Sequence, residues 1–426
     1  MKFDYGKSGI EINLDPKWNT TIFYASENKS IEHPIAKIKE SINNPIEGPS
    51  LKEIINRKTK LESVCIVSSD VTRPVPSNLI LEAIVEELNS YGINDNQIYV
   101  LIATGLHRTS RDDELGRILG KSLKSRIKTV DHRSNYMDSL VYIGNSVDND
   151  PIFVNKYYYS ADLKILTGYV EPHFFFGFSG GRKSLVPGIV GTETIQANHS
   201  AEKIFSPYAR FGFYKENPLH LHSLEISKKI GVDFVVNVCI NKQHKIVEVA
   251  SGDLIKTHEK LVEYQLKHIF TEIKERYEVV VCGNGGYPLD LNLYQAVKSM
   301  AIGEMAVKDG GTIVAVNECA EGIGVGQDNF KELLFSGMTP KEIHKKILNK
   351  EIIVPDQWEI QILARILMKA EIFIISELNK NEIGNIGLKY AKNVEEAIRI
   401  CLKKYGQEAS ILILPNGPQL LPLCKK

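Results

Sequence analysis

The residues able to do chemistry in this 426-residue chain gather in a few short segments. The first, Asp70-Val71-Thr72-Arg73-Pro74, follows the apolar run SVCIVSS. A guanidinium in a strand-to-helix loop suits a carboxylate or a phosphate, so Arg73 is a candidate anion ligand; an Arg73–Asp70 pair that only shapes the loop is the alternative. The second is Ala103-Thr104-Gly105-Leu106-His107-Arg108. His107, two residues past a glycine turn, stands where a general base belongs, although surface and capping histidines occur there too. The densest segment runs Glu171-Pro172-His173-Phe174-Phe175-Phe176-Gly177-Phe178-Ser179-Gly180-Gly181-Arg182-Lys183-Ser184 and continues to His199.

Gly177 through Ser184 nearly matches the phosphate-cradling pattern G-x-x-x-x-G-K-[ST], but Arg182 stands where that pattern needs glycine. A full triphosphate nest is therefore not expected; closely spaced glycines with a lysine and a serine can still bind one phosphate. His173 and His199 are too far apart for a local metal pair, so any shared site must be made by the fold. His220, His222 and His258 lack ligand spacing and read as surface features, and GIGVGQ at 322–327 lacks the third glycine of a dinucleotide fingerprint. Further on, Tyr294 and Lys298 lie four apart near a helix start, with Gln295 three from Lys298, a placement suited to an anionic substrate or to a solvated helix end. Trp358 begins another helical pattern and is either core or a cover over a small ligand.

Short Val- and Ile-rich runs must position these segments: 63–70, 97–105, 162–170 and 233–240, then 278–286, 311–319, 371–378 and 410–417. Between them lie stretches with apolar spacings of three and four, such as SNLILEAIVEELNSYG and DQWEIQILARILMKA. Strand then helix, repeated, predicts an α/β protein with mainly parallel sheets in two domains. Ligands of such sheets bind beyond the carboxyl ends of strands, where the loops at Asp70, Thr104, Tyr169 and Asn284 begin. The boundary is placed near 270, giving domains at 1–270 and 271–408; the opening segments EINLD and TTIFYAS are expected as a hairpin on the first domain, with 409–426 packing back onto it.

Composition narrows the classes. Fifty-two basic residues balance 52 acidic ones, which leaves no surplus for a nucleic acid or an anionic membrane. The six cysteines have no short-spaced pair and read as buried packing residues, not as a zinc or redox site. With no apolar leader and no run of about 18 apolar residues, a cytoplasmic protein is expected.

Taken together, DVTRP, ATGLHR, EPHFFFGFSGGRK, TIQANH and NLYQAVK, in that order, resemble the nickel-dependent lactate racemase family. The resemblance implies two α/β domains with the active site in the interdomain cleft. It also implies a nickel-pincer cofactor, pyridinium-3-thioamide-5-thiocarboxylic acid mononucleotide, made by accessory proteins and covalently linked through Lys183. His199 would be the nickel ligand, and His107 and His173 the acid/base pair. Asp70, Gly180 and Gly181 would lie at the cofactor, while Arg73, Lys298, Gln295, Tyr294 and Trp358 would face a lactate substrate. The expected activity is racemisation of lactate, with another 2-hydroxy acid as the alternative and a phosphate- or nucleotide-binding protein as the reading from a different class.

Overall fold

The structure, a computed structural model, describes residues 1–26 and 28–424. The chain forms two compact units, residues 28–203 with 208–268, and residues 1–26 with 204–207 and 269–424.

The first unit is built on a six-stranded sheet in the order Ile246–Gly252, Phe234–Ile240, Leu163–Tyr169, Val64–Ser69, Ile98–Ala103, Lys128–Asp131. Every pairing is parallel except that of Ile246–Gly252 with Phe234–Ile240. Central strands are covered on both faces, which is why they read as unbroken apolar runs instead of alternating ones. Val64 and Ile66 face one core together with Ile80, Ile84 and Leu88 of helix Ser77–Ser90. Cys65 and Val67 face the other, with Leu185, Val186 and Ile189. Each fully buried Ile or Leu contributes about 1.5–3 kcal/mol relative to exposure, so the strands are anchored on both sides and their carboxyl ends are fixed points. Helix Asp112–Lys124 starts with Asp112, Asp113 and Glu114 and ends near Lys121 and Lys124, matching its dipole.

The second unit contains an all-parallel sheet in the order Lys389–Tyr390, Glu371–Ile375, Val307–Val316, Tyr277–Gly283, Ile411–Leu414, Thr20–Ile22. Here the structure departs from the expected domain limits. Ile411–Leu414, buried along its whole length, pairs with Tyr277–Gly283 on one side and Thr20–Ile22 on the other, so both chain ends belong to the second sheet. The opening hairpin also differs: Lys2–Phe3 pairs with Ile10–Glu11, and TTIFYAS contributes a parallel edge strand instead. Phe3 and Ile12 enter the second unit's core with Val279, Val314 and Ile413, which outweighs proximity in sequence.

Five of the six cysteines are buried and Cys424 is half-buried, as the packing reading requires. Among the described residues no helix is long and apolar enough to cross a membrane.

Candidate functional site

Three neighbouring parallel strands, Leu163–Tyr169, Val64–Ser69 and Ile98–Ala103, deliver their loops to one edge of the first sheet. The Val64–Ser69 strand ends at Asp70, which is buried. Its Oδ1 accepts from the Thr72 amide at 3.1 Å and the Thr72 hydroxyl at 2.6 Å, and its Oδ2 lies 2.7 Å from His107 Nδ1. Burial pushes the Asp70 carboxyl up, but hydrogen bonds from His107 and Thr72 and the charges of His107 and Arg73 outweigh it, and the net shift is downward. An ionised carboxylate only accepts, so Nδ1 of His107 carries a hydrogen and Nε2 of the neutral ring carries the lone pair. The half-exposed imidazole is thus fixed in the tautomer and orientation of a general base. Arg73 does not form the loop-shaping pair with Asp70; its Nη1 donates to the Thr72 carbonyl and hydroxyl, and the side chain is exposed.

The next loop is held from both sides. Gly105, at φ +55°, donates to the Gly188 carbonyl at 3.0 Å. Arg108 binds buried Glu114 with both guanidinium nitrogens, at 2.8 and 2.6 Å, and that fork together with the Arg111 backbone amide holds the Glu114 carboxyl down at about 2.

The third loop converges on its own aromatic run. Phe174, Phe175 and Phe176 are buried. The His173 ring stacks on Phe174 with centroids 5.1 Å apart and meets Phe175 edge-on at 4.5 Å. Its Nδ1 accepts the Phe176 amide at 3.3 Å, which leaves the hydrogen of the neutral ring on Nε2, the opposite tautomer to His107. Lys183 Nζ lies 4.2 Å from the centre of the Phe176 ring. His199, at the carboxyl end of helix Thr192–Asn198, packs edge-on against Phe175 and Phe176 at 5.4 and 5.5 Å. Its Nδ1 donates to the Ile195 carbonyl at 3.1 Å, so Nε2 carries the lone pair. Burial first, then the Lys183 charge, push this imidazole down to about 3, so it is neutral at physiological pH. Three residues separated by up to 26 positions therefore share two phenylalanine rings.

Gly177 to Ser184 is not a phosphate cradle. The Gly181 amide donates to Asn237 Oδ1 at 2.6 Å, the Ser184 hydroxyl donates to the Thr167 carbonyl at 2.5 Å, and Arg182 points into the interior. Two of the groups a phosphate would need, the Gly181 amide and the Ser184 hydroxyl, are already used within the fold. Gly180 and Gly181 take positive φ, and a Cβ on Gly180 would lie 2.6 Å from Val170 Cγ2. These glycines serve the tight path of the loop.

Asn292 caps helix Leu293–Ala306 by accepting the Gln295 amide, and Gly322 and Ile323 of GIGVGQ accept the Leu293 and Tyr294 amides. The glycine-rich stretch thus serves as a helix cap. Lys298 Nζ donates to Gln295 Oε1 at 2.5 Å, and Tyr294 packs edge-on to Phe330. Trp358 is half-buried on the first turn of helix Gln357–Lys369, beside wholly buried Glu359. Burial drives the Glu359 carboxyl upward, with the Lys298 charge opposing.

The histidines expected at the surface are buried. His220, His222 and His258 are 7%, 4% and 3% exposed. His258 lies on the stripe His258, Leu261, Val262, Gln265 of helix Leu254–His268, an i, i+3, i+4, i+7 pattern that was readable in the sequence. His222 approaches Asp150 at 3.4 Å, and Asp148, Asp150 and His222 are close enough to share a cation. Lys203 already supplies that charge, 3.0 Å from Asp148 and 3.6 Å from Asp150, and the Asn198 amide donates to His222 Nδ1, which places the hydrogen on Nε2 where a metal would need the lone pair.

Residues 5–212 match the lactate racemase N-terminal domain model, and residues 273–421 match the lactate racemase C-terminal domain model. A lactate racemase of Thermoanaerobacterium thermosaccharolyticum is 36% identical over 427 residues, covering 99% of this chain and 98% of the relative. Another, of Lactiplantibacillus plantarum, is 36% identical over 383 residues, covering 89% of each. The structure of the T. thermosaccharolyticum lactate racemase apoprotein superposes with a TM-score of 0.90 at 34% identity, over 99% of both chains. A Thermotoga maritima protein shares the fold alone, at TM-score 0.67 and 18% identity over 95% of this chain and 100% of that one. With both domain models matched in order and relatives aligned from end to end, this chain belongs to the lactate racemase family.

Proposed function

We propose that the protein interconverts L- and D-lactate with a nickel-pincer nucleotide attached through Lys183. The observation that carries this reading is the shared Phe175–Phe176 surface, against which Lys183, His173 and His199 all lie. The residues suit that group. His199 is a neutral imidazole whose Nδ1–H is tied to a backbone carbonyl, the arrangement that orients Nε2 toward a metal. The Lys183 amine rests on an aromatic ring, and neutralising it in an amide-type bond removes a charge from a half-buried site.

When bound through Lys183, with His199 available as the nickel ligand, the pincer nucleotide would supply an electron-poor pyridinium ring able to accept a hydride. The protein's part is proton transfer and positioning. His107, oriented by Asp70, removes the hydroxyl proton of one enantiomer through Nε2. His173 serves the hydroxyl of the other, which requires its Nδ1 to give up the Phe176 amide at 3.3 Å so that Nε2 carries the lone pair. Arg73, and Lys298 steadied by Gln295, hold the carboxylate while the flat keto acid turns; Tyr294 and Trp358 complete the substrate contacts. Asp70 is assigned to His107 in place of the cofactor contact expected from the resemblance, because both carboxylate oxygens are committed to His107 and Thr72. Accessory proteins would make the cofactor, and the cytoplasm would be the working compartment.

Enzyme loaded with nickel and cofactor is expected to turn either pure lactate enantiomer into a mixture, followed by chiral chromatography. Inactivity on lactate with activity on a longer 2-hydroxy acid would move the assignment to a sister enzyme of the same family. Lys183→Ala is expected to abolish the covalent adduct in denatured intact mass; an adduct of unchanged mass in that variant would refute the attachment point.

A further inference from the structure

We propose that Arg182 and His258 form a buried bracket that positions Lys183 by holding the three backbone carbonyls before it, a role that rests on Lys183 as the attachment point. Arg182 is 1% exposed, and among the described residues no acidic side chain pairs with it. Its Nη2 donates to the Phe178 carbonyl at 2.9 Å and its Nη1 to the Gly180 carbonyl at 3.0 Å. The carbonyl between them, that of Ser179, lies 3.0 Å from His258 Nε2, which is itself 2.9 Å from Arg182 Nη1. From the other side the loop is held by Asn237 Oδ1, which accepts the Gly181 amide at 2.6 Å. The guanidinium carbon also lies 5.6 Å from the centre of the Phe176 ring, the same ring that carries the Lys183 amine.

The bracket restrains a loop that its own residues leave free. Gly177, Gly180 and Gly181 all have positive φ, a path that glycines permit but do not hold. A reactive lysine on such a loop needs external restraint to keep its amine within bonding distance of an incoming acyl group. Burying a guanidinium without a carboxylate is an expensive way to fill space; a methionine of similar length would fill it without the desolvation cost. The neighbourhood of the bracket is neutral, since burial and the Arg182 charge both disfavour protonation of His258 and His220. Two carbonyl dipoles, those of Phe178 and Gly180, together with the Phe176 ring face, are therefore what balance the guanidinium, and the same bonds set the loop. The bracket makes intelligible the arginine that breaks the phosphate-loop pattern, because a glycine at position 182 would remove the guanidinium donors to the Phe178 and Gly180 carbonyls.

The test uses the full chain in a host with and without the cofactor pathway. Arg182→Met and His258→Gln are each compared with wild type by denatured intact mass, by the rate at which an amine-acylating reagent modifies Lys183 in the apoprotein, and by unfolding midpoint. We expect Arg182→Met to lower the unfolding midpoint only modestly, because a desolvated charge is removed as two carbonyls lose their donors, while covalent loading falls about tenfold or more under conditions where the variant stays folded and Lys183 acylation changes. Arg182→Lys, which restores one donor head, is expected to recover part of the loading. Wild-type loading and acylation in both substitutions would overturn the bracket, as would a loading loss that only parallels a loss of stability. Absence of an adduct on wild type would instead refute the attachment reading; the apoprotein acylation rates would still report on the bracket.

Discussion

Asp70 illustrates how one side chain sets the chemistry of another. Its pKa is depressed, so its interactions with His107 and Thr72 are present above the ordinary carboxyl range and are lost as pH falls through the lowered value. Asp70→Asn keeps the shape but can present an amide N–H to Nδ1, favouring the tautomer with hydrogen on Nε2. Turnover is expected to fall about 10²–10⁴-fold. The unfolding midpoint is expected to fall slightly, by the stability that the ionised carboxylate contributes, and the extent of covalent loading to stay unchanged. A variant with near-normal kcat would show that His107 needs no carboxylate behind it. Asp70, Arg73 and His107 were legible as residue types at strand ends; that Asp70 binds His107 and leaves Arg73 exposed was not, because the choice depends on which loop of a neighbouring strand comes within 3 Å.

At the level of elements, the loop from Gly177 to Ser184 is shaped by close packing. A Cβ on Gly177 would lie 1.8 Å from the Phe213 carbonyl oxygen, and its φ of +77° disfavours any other residue. Gly177→Ala is therefore expected to destabilise the protein by at least about 1–3 kcal/mol, read as a lower denaturant midpoint, and to impair loading at Lys183. Stability and loading equal to wild type would show that the loop can shift away from Phe213. Strand and helix identities along the chain were legible from apolar runs and three-four spacing. The same periodicity places His258 on an apolar stripe, a signal that the surface reading passed over, and such a stripe carries no sign of the histidine's partner, here a guanidinium 76 residues earlier.

For the whole molecule, two further predictions concern stability. His132, His199, His220, His222 and His258 are all buried with depressed pKa values, about 4 for His132 and about 3 for His199. The unfolded chain binds protons at these sites near pH 6.5 while the folded chain resists them, so each neutral ring favours folding less as pH falls below that value, with the loss for His132 complete near 4. The urea midpoint is expected to decline between about pH 6.5 and 4; a flat profile would exclude these rings as the cause. The second concerns the chain ends. Removing residues after Ala409 deletes the buried strand Ile411–Leu414 and separates Thr20–Ile22 from the sheet. That truncation is expected to unfold the second unit, and protease-resistant mass should show the first unit persisting. By itself the sequence determined the element types, the α/β class, the family and the loops where chemistry belongs, because local periodicity and ordered motifs are written in consecutive residues. Only the tertiary structure decided that both chain ends complete the second sheet, that Arg182 turns inward, and that Lys183, His173 and His199 meet over the same phenylalanines. Those outcomes depend on which buried surfaces and unpaired carbonyls find partners across long stretches of chain, and no local pattern records them.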